Sequence, residues 1–477
     1  MTALVGLDVG TTGVKALAVD EAGAVLARAE REYPLSLPRP GWAEQDPDDW
    51  RRAAGEALAA LGVEDVAGLG LSGQMHGLVA LDAGGRPLRP AILWNDGRTA
   101  AECAEIEERI GLARLVRLTG NRALPGFTAP KLLWLRRHEP AVYEQIAHVL
   151  LPKDYVRLAL TGERATDVAD ASGTLLFDVA RRTWSDGVLE ALELPRAWLP
   201  PALESPEPSG RTSAGVPVAA GAGDQAAGAL GVGVVGPGPV SVVLGTSGVA
   251  FAALAEPAAD PEARAHVFCH AVPGAWHAMG VMLSAAGSLR WFRETFAAGE
   301  PYEALVEEAE RWPPGAGGVA FLPYLAGERT PHADPGARGA FTGLALRHDR
   351  GALVRAVLEG VAYGLRDCLE VLRALGCTVT AGRVSGGGAR SGLWARIVAS
   401  ALGLPLERTA VEEGAAYGAA LLGGVAGGVF RDVHEAVAAC VRTVEIVEPV
   451  PEWERAYAEG YGRFRALYPA LRGLEVE

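Results

Sequence analysis

Leu7-Asp8-Val9-Gly10-Thr11-Thr12-Gly13-Val14 places an apolar run, a glycine-bounded turn carrying two hydroxyls and a second apolar run in direct succession. The order predicts a buried strand, a tight turn and a returning strand. The same order recurs as Val242-Val243-Leu244-Gly245-Thr246-Ser247-Gly248-Val249, and Gly245 lies 235 residues after Gly10 in a chain of 477. Glycine permits positive φ and lets backbone N–H groups approach an anion. Two such hairpins facing each other could grip a polyphosphate from both sides. The copies differ at one position of chemical weight: Asp8 in the first is Val243 in the second. A single carboxylate beside two hydroxyl-bearing turns suggests one Mg2+ site between them.

The length suits two to three domains, and the repeat favours two. Gly236-Pro237-Gly238-Pro239 precedes the second hairpin and marks the natural boundary, giving 1–236 and 237–477. In the first half, Pro47 to Leu61 has helical apolar spacing. Val66 to Leu71 reads as a short buried strand and Leu78 to Leu81 as another. In the second half, Leu353 to Leu372 is the clearest helix, with Val354, Val357, Leu358, Val361 and Leu365 on one stripe. Gly360 and Gly364 inside it imply close packing, since glycine weakens a helix. Val384 to Ala389 reads as strand then glycine loop, with a helix beginning near Ser391. Both halves are therefore α/β units that begin with a hairpin.

Composition narrows the function. Acidic residues outnumber basic ones 58 to 44, a net charge of −14 that argues against nucleic acid or an anionic membrane as partner. A nucleotide is not excluded, because a local site can oppose the global field. No apolar run approaches the 18 or so residues of a membrane span, and the N-terminus is itself a strand, so neither a span nor a signal peptide is expected. The five cysteines, Cys103, Cys269, Cys368, Cys377 and Cys440, lack paired spacing and suit buried thiols in a reducing, cytoplasmic compartment.

Several residues have the chemistry of a phosphoryl-transfer site. Lys15, just past the first turn, could meet a β- or γ-phosphate, or simply be a solvated strand residue. Asp224 enters the small-residue stretch Gly221-Ala222-Gly223-Asp224-Gln225-Ala226-Ala227. It could take the proton of an attacking hydroxyl, or act as N-cap of a helix starting at Gln225. Gln74-Met75-His76 and Trp94-Asn95-Asp96 supply the amides, carboxylate, thioether and aromatic that polyol recognition needs. His76 reads equally well as an internally satisfied core histidine. Gly386-Gly387-Gly388-Ala389 could admit adenine or ribose at close range.

Taken together, S-G-Q-M-H-G (72–77), L-W-N-D-G-R (93–98), L-P-K-D-Y (151–155), Y-L-A-G-E-R-T-P-H (324–332) and S-G-G-G-A-R-S (385–391) resemble the FGGY carbohydrate kinase family. Residues 126–134 and 339–359 resemble its two signatures, and the first and second strings are similar to its xylulokinase branch. The resemblance runs from the first hairpin to Gly418. It implies two actin-like, ribonuclease H-like domains flanking a deep cleft, and ATP- and Mg2+-dependent phosphorylation of D-xylulose at its 5-hydroxyl. D-ribulose, another ketose or a polyol is the alternative acceptor. An actin-like ATPase that moves a protein partner is a more distant reading, as is a sugar-responsive binding protein. By resemblance Asp224 matches the catalytic base, Asp8 the metal-linked carboxylate, and Met75, His76 and Asp96 the sugar pocket. Thr11, Thr12, Lys15, Gly245 and Thr246 match the phosphate turns, and Gly388 and Ala389 the nucleotide loop. Family members are often dimers, so a homodimer is compatible. The chain departs from the family at Gln225, usually Asn, which could alter preference among pentuloses. It also departs at Ala352, usually polar and read here as a helix start, and at Ala415, often Pro.

Overall fold

The computed structural model describes residues 2–473. Both hairpins form. In the first half, β1 (Ala3–Val9) and β2 (Gly13–Val19) pair antiparallel, and β3 (Val25–Glu32) extends them. On the other side β1 runs parallel to β4 (Val66–Gly73), which is followed outward by β6 (Pro217–Ala219) and β5 (Pro208–Arg211). β7 (Ala222–Gly223) also pairs with β4, completing a seven-stranded sheet. In the second half β8 (Gly238–Leu244) and β9 (Gly248–Leu254) form the hairpin. β11 (Trp276–Met282) and then β10 (His266–Cys269) flank β9. β12 (Val379–Ser385) lies parallel to β8, then β13 (Leu406–Thr409) and β14 (Thr443–Val447) complete a second seven-stranded sheet. The two sheets share the pattern of three antiparallel strands beside a parallel neighbour. This is the actin-like pair of domains that the resemblance implies.

The helices follow local chemistry. α1 (Pro47–Ala60) starts where the Asp46 carboxylate accepts the Asp48 N–H, with Pro47 in its first turn, and it buries Trp50, Ala53, Ala54 and Ala57. α2 (Thr128–His138) and the short α3 (Val168–Ser172) back the first-half pocket. α4 (Asp224–Gly231) leads toward the second half, where α5 (Ala286–Phe296) abuts the second turn. α6 spans Arg350–Ala374, three residues earlier than its apolar stripe begins, because Asp349 caps it by accepting the Ala352 N–H at 3.1 Å. The expected close packing is present: a Cβ on Gly360 would stand 2.3 Å from the Phe321 carbonyl oxygen. α7 (Gly392–Leu402) starts from a Ser391 cap. No helix among the described residues is long and apolar enough to cross a membrane.

One helix crosses between bodies. α8 (Gly414–Ala426) belongs by sequence to the second half, yet it lies on β1 and β4 of the first sheet and against α4. It packs with almost no side chain between: a Cβ on Gly70 would fall 1.8 Å from the Ala419 carbonyl oxygen, which only glycine avoids. α9 (Val433–Cys440) packs on α8, and the chain then returns to β14. The chain thus passes between the bodies at three places: 232–237, 410–413 and 441–442.

Candidate active site

The two turns are built so that their carbonyls are occupied and their amides are free. In the first, Val9 faces Val14 and Gly10 N–H donates to Gly13 O at 3.0 Å. The Gln45 amide donates to Thr11 O at 2.6 Å, the Gln74 amide to Gly10 O at 3.2 Å, and the Tyr33 hydroxyl also donates to Gly10 O. Trp94 Nε1–H donates to Thr11 Oγ1 at 3.0 Å. Among the described residues, the Thr11 and Thr12 N–H groups have no acceptor. The second turn is one residue tighter, since Leu244 faces Gly248. Its carbonyls are held by the start of α5: Ala286 N–H donates to Gly245 O at 2.8 Å and Ala285 N–H to Thr246 O at 2.9 Å. Such paired, outward N–H groups form an anion-binding concavity.

A row of side chains crosses the first sheet beneath its turn. Register places Glu30, Lys15, Asp8, Ser72 and Ala222 side by side on neighbouring strands. Ser72 Oγ–H donates to Asp8 Oδ1 at 2.8 Å. Lys15 is more than half exposed and stands 3.9 Å from Glu30, so its ammonium is solvated while sharing Asp8's face of the sheet. Just beyond the row, Asp224 is the first residue of α4. Gly223 occupies the N-cap position and no side chain caps the helix, so the capping role weighed for Asp224 is not the one it plays. Burial pushes the Asp224 carboxyl up to about 7, and the nearby Asp8 charge adds to the effect; hydrogen bonds from Gln225 oppose it. Burial also raises Asp8, against Ser72 and Lys15. Two carboxylates close enough to feel each other, one poised near neutrality, suit a proton acceptor beside a charged neighbour.

The residues expected to face the sugar differ in what surrounds them. Met75 lies against Gly223, where a Cβ would come within 2.8 Å of its Sδ. His76 adopts a left-handed backbone (φ 70°) and its Nδ1–H donates to Gly173 O at 2.6 Å, leaving Nε2 as an acceptor. Burial pulls its pKa down to about 3, so the ring is neutral. The His76 carbonyl, turned away by that φ, accepts from Thr128 Oγ1 at 3.0 Å and Lys131 Nζ at 2.8 Å; Lys131 also donates to Gly126 O at 2.7 Å. Gln74 instead braces the phosphate turn. Asp96 borders the cavity but is buried, and both its oxygens are taken by the Arg98 guanidinium and the Ala43 and Arg98 N–H groups. The cavity beside them measures about 280 Å³ and is walled by Trp94, Asn95 and Gly126 from the first half and His266, Glu328 and Arg329 from the second.

A larger cavity of about 870 Å³ opens on the other side of the second turn. Gly245, Thr246, Gly387, Gly388 and Trp394 line it. Ala389 sits behind this wall, its carbonyl accepting from Arg408 at 2.6 Å. Sequence reasoning did not single out Gln45, Tyr33, Lys131, Glu328 or Arg329. The last two lie in a quoted string, where an acid–base pair between Gly327 and Thr330-Pro331 was the available signal.

Residues 3–231 match the N-terminal domain of the FGGY family of carbohydrate kinases, and residues 240–427 match its C-terminal domain. The chain is 48% identical to the xylulose kinase of Escherichia coli (strain K12) over 437 residues, covering 88% of this chain and 90% of that one. It is 36% identical to the xylulose kinase of Bacillus subtilis (strain 168) over 492 residues, covering 100% and 98%. The crystal structure of xylulose kinase from Rhodospirillum rubrum superposes with a TM-score of 0.92 at 36% identity, covering 99% of both chains. With the N-terminal and C-terminal domain models matched in order along the chain, and with relatives of the same family covering most of its length, the chain belongs to the FGGY family of carbohydrate kinases.

Proposed function

We propose that the protein transfers the γ-phosphoryl group of ATP to O5 of D-xylulose, giving D-xylulose 5-phosphate and ADP. The acceptor rests on relatives such as the two xylulose kinases at 48% and 36% identity. The observation that carries the mechanism is Asp224, held near pKa 7 just past the row that carries Asp8, whose charge it feels. Asp224 takes the proton of the 5-hydroxyl as O5 forms its bond to phosphorus, and the β–γ bridging oxygen leaves with ADP. The amides of Thr11 and Thr12, with those of Gly245 and Thr246, face the charge that spreads over the phosphoryl oxygens. Met75 and neutral His76 fix the sugar's orientation, Met75 by its apolar surface and His76 through Nε2.

Mg2+ suits this site as an ion that arrives with the nucleotide. No cluster of three or more ligating side chains exists among the described residues. Asp8 keeps one oxygen without a hydrogen-bond partner there, and Mg2+ commonly uses one or two carboxylates plus substrate phosphates. When bound, the ion neutralises charge on the β- and γ-phosphoryl oxygens.

The test is ADP release with ATP and Mg2+ across D-xylulose, D-ribulose, L-xylulose, L-ribulose, glycerol and gluconate, with a no-sugar blank and an EDTA control. Turnover concentrated on D-xylulose and abolished by EDTA is expected. Selective turnover on another acceptor would retain the chemistry and replace the sugar. Equal hydrolysis in every tube would overturn the kinase reading.

A further inference from the structure

Of the three arginines that line the sugar cavity, two are neutralised. Arg122 pairs with Glu107 at 3.2 Å and Arg264 with Asp260 at 3.1 Å. Arg329 forms no ion pair and no side-chain hydrogen bond among the described residues. Burial lowers its pKa, partly offset by Glu328, and its charge is felt at His76 and His266 across the cavity. A half-buried guanidinium without an acid is costly unless a ligand supplies acceptors.

Its loop is held on both sides. The Glu328 carboxylate accepts the N–H groups of Leu283 at 3.0 Å and Arg329 at 2.7 Å, and its second oxygen is buried without a partner. Thr330 accepts the Val281 N–H at 3.0 Å and donates to Arg264 O at 2.8 Å. The backbone that carries the guanidinium is therefore held by fixed neighbours on both sides. It also comes from the second half, whereas Asp224, Met75 and His76 come from the first.

Phosphorylation at O5 of a 2-pentulose sets a requirement. In the cyclic form O5 is the ring oxygen, so a free 5-hydroxyl exists only in the open-chain ketone. That chain carries a C2 carbonyl next to its C1 end, an acceptor with no donor of its own. We infer that Arg329 determines specificity by donating to the C2 carbonyl oxygen of an open-chain ketose whose 5-hydroxyl lies at Asp224. The inference rests on the ketose-kinase reading above and deepens it: the sugar spans the two bodies, so its binding favours closure of the cleft.

The experiment compares the wild-type protein, Arg329→Met and Arg329→Lys on D-xylulose and on glycerol, which reproduces C3 to C5 and lacks C1 and C2. ADP release gives kcat/KM; where glycerol is not turned over, its inhibition constant against D-xylulose replaces it. Arg329→Met is expected to lower kcat/KM for D-xylulose about 10- to 100-fold, the worth of one charge-assisted hydrogen bond, and to change the glycerol value less than about 3-fold. Arg329→Lys should recover part of the D-xylulose loss, and thermal melts verify that each variant folds. Equal losses on both acceptors, or none on either, would overturn the inference. A wild-type protein that does not act on D-xylulose would refute the underlying reading and take this one with it.

Discussion

Asp224→Asn should slow turnover sharply and make the protein more stable, with a pH dependence fixed by the site. The carboxyl stands at about 7 in the fold against an ordinary 3.8. Below pH 3.8 folded and unfolded chains both hold the proton, and its titration contributes nothing. Between 3.8 and 7 the unfolded chain releases a proton that the folded chain keeps, so stability falls as pH rises; above 7 the penalty is constant. A difference of roughly three pH units at about 1.4 kcal/mol each gives about 4 kcal/mol, roughly half present at pH 5.5 and all of it by pH 8.5. The unfolding entropy of a chain this long converts that to about 1 °C per kcal/mol. In ligand-free thermal melts, Asn at this position should raise Tm by about 2 °C at pH 5.5 and about 4 °C at pH 8.5. The same change should lower kcat by two to four orders of magnitude, roughly the range of a general base. A Tm difference with no pH trend would show that Asp224 is not held out of water as the geometry requires. Retention of most activity would remove it from the mechanism.

Gly70→Val should lower Tm and expose α8 to limited proteolysis, because its first side-chain atom meets the Ala419 backbone at 1.8 Å; overpacking of this kind costs about 1–3 kcal/mol or more. An unchanged melting curve and digestion pattern would contradict the placement of α8. His76→Ala should raise KM for the sugar more than KM for ATP, since His76 donates to Gly173 of the first half, keeps Nε2 free as an acceptor and does not line the nucleotide cavity. Equal effects on both constants, measured by initial rates, would place His76 elsewhere in the cycle.

Much of this architecture was legible because its signals are local. A glycine-bounded turn between apolar runs needs no distant partner to declare itself, and its repetition after 235 residues exposed the two-body plan. Pro47 likewise marks the start of α1 from the sequence alone, directly after its Asp46 cap. Residue type was less informative in the pocket. Gln74 and Asp96 have the polarity of sugar ligands, yet Gln74 braces a turn that only the fold brings near, and Asp96 is saturated by Arg98, two residues on, together with the distant Ala43 N–H. Gln45 and Tyr33, which hold the first turn, lie across intervening strands from it. The position of α8 was hidden for a different reason. Its sequence is apolar and small on every side, with no polar face to say where water lies. Only the glycines of the strands beneath it, Gly6, Gly68 and Gly70, record its approach.

That helix also sets the order in which the chain can mature. The first sheet is threaded early, but the cover for one of its faces is encoded after residue 413. During synthesis the N-terminal body must wait, with a glycine-lined apolar face bare, until nearly the whole polypeptide has left the ribosome. A fragment ending at residue 236 would keep that exposed face, and the complementary fragment would carry a greasy helix with nowhere to dock. The two bodies are thus separable as shapes but not as products of translation.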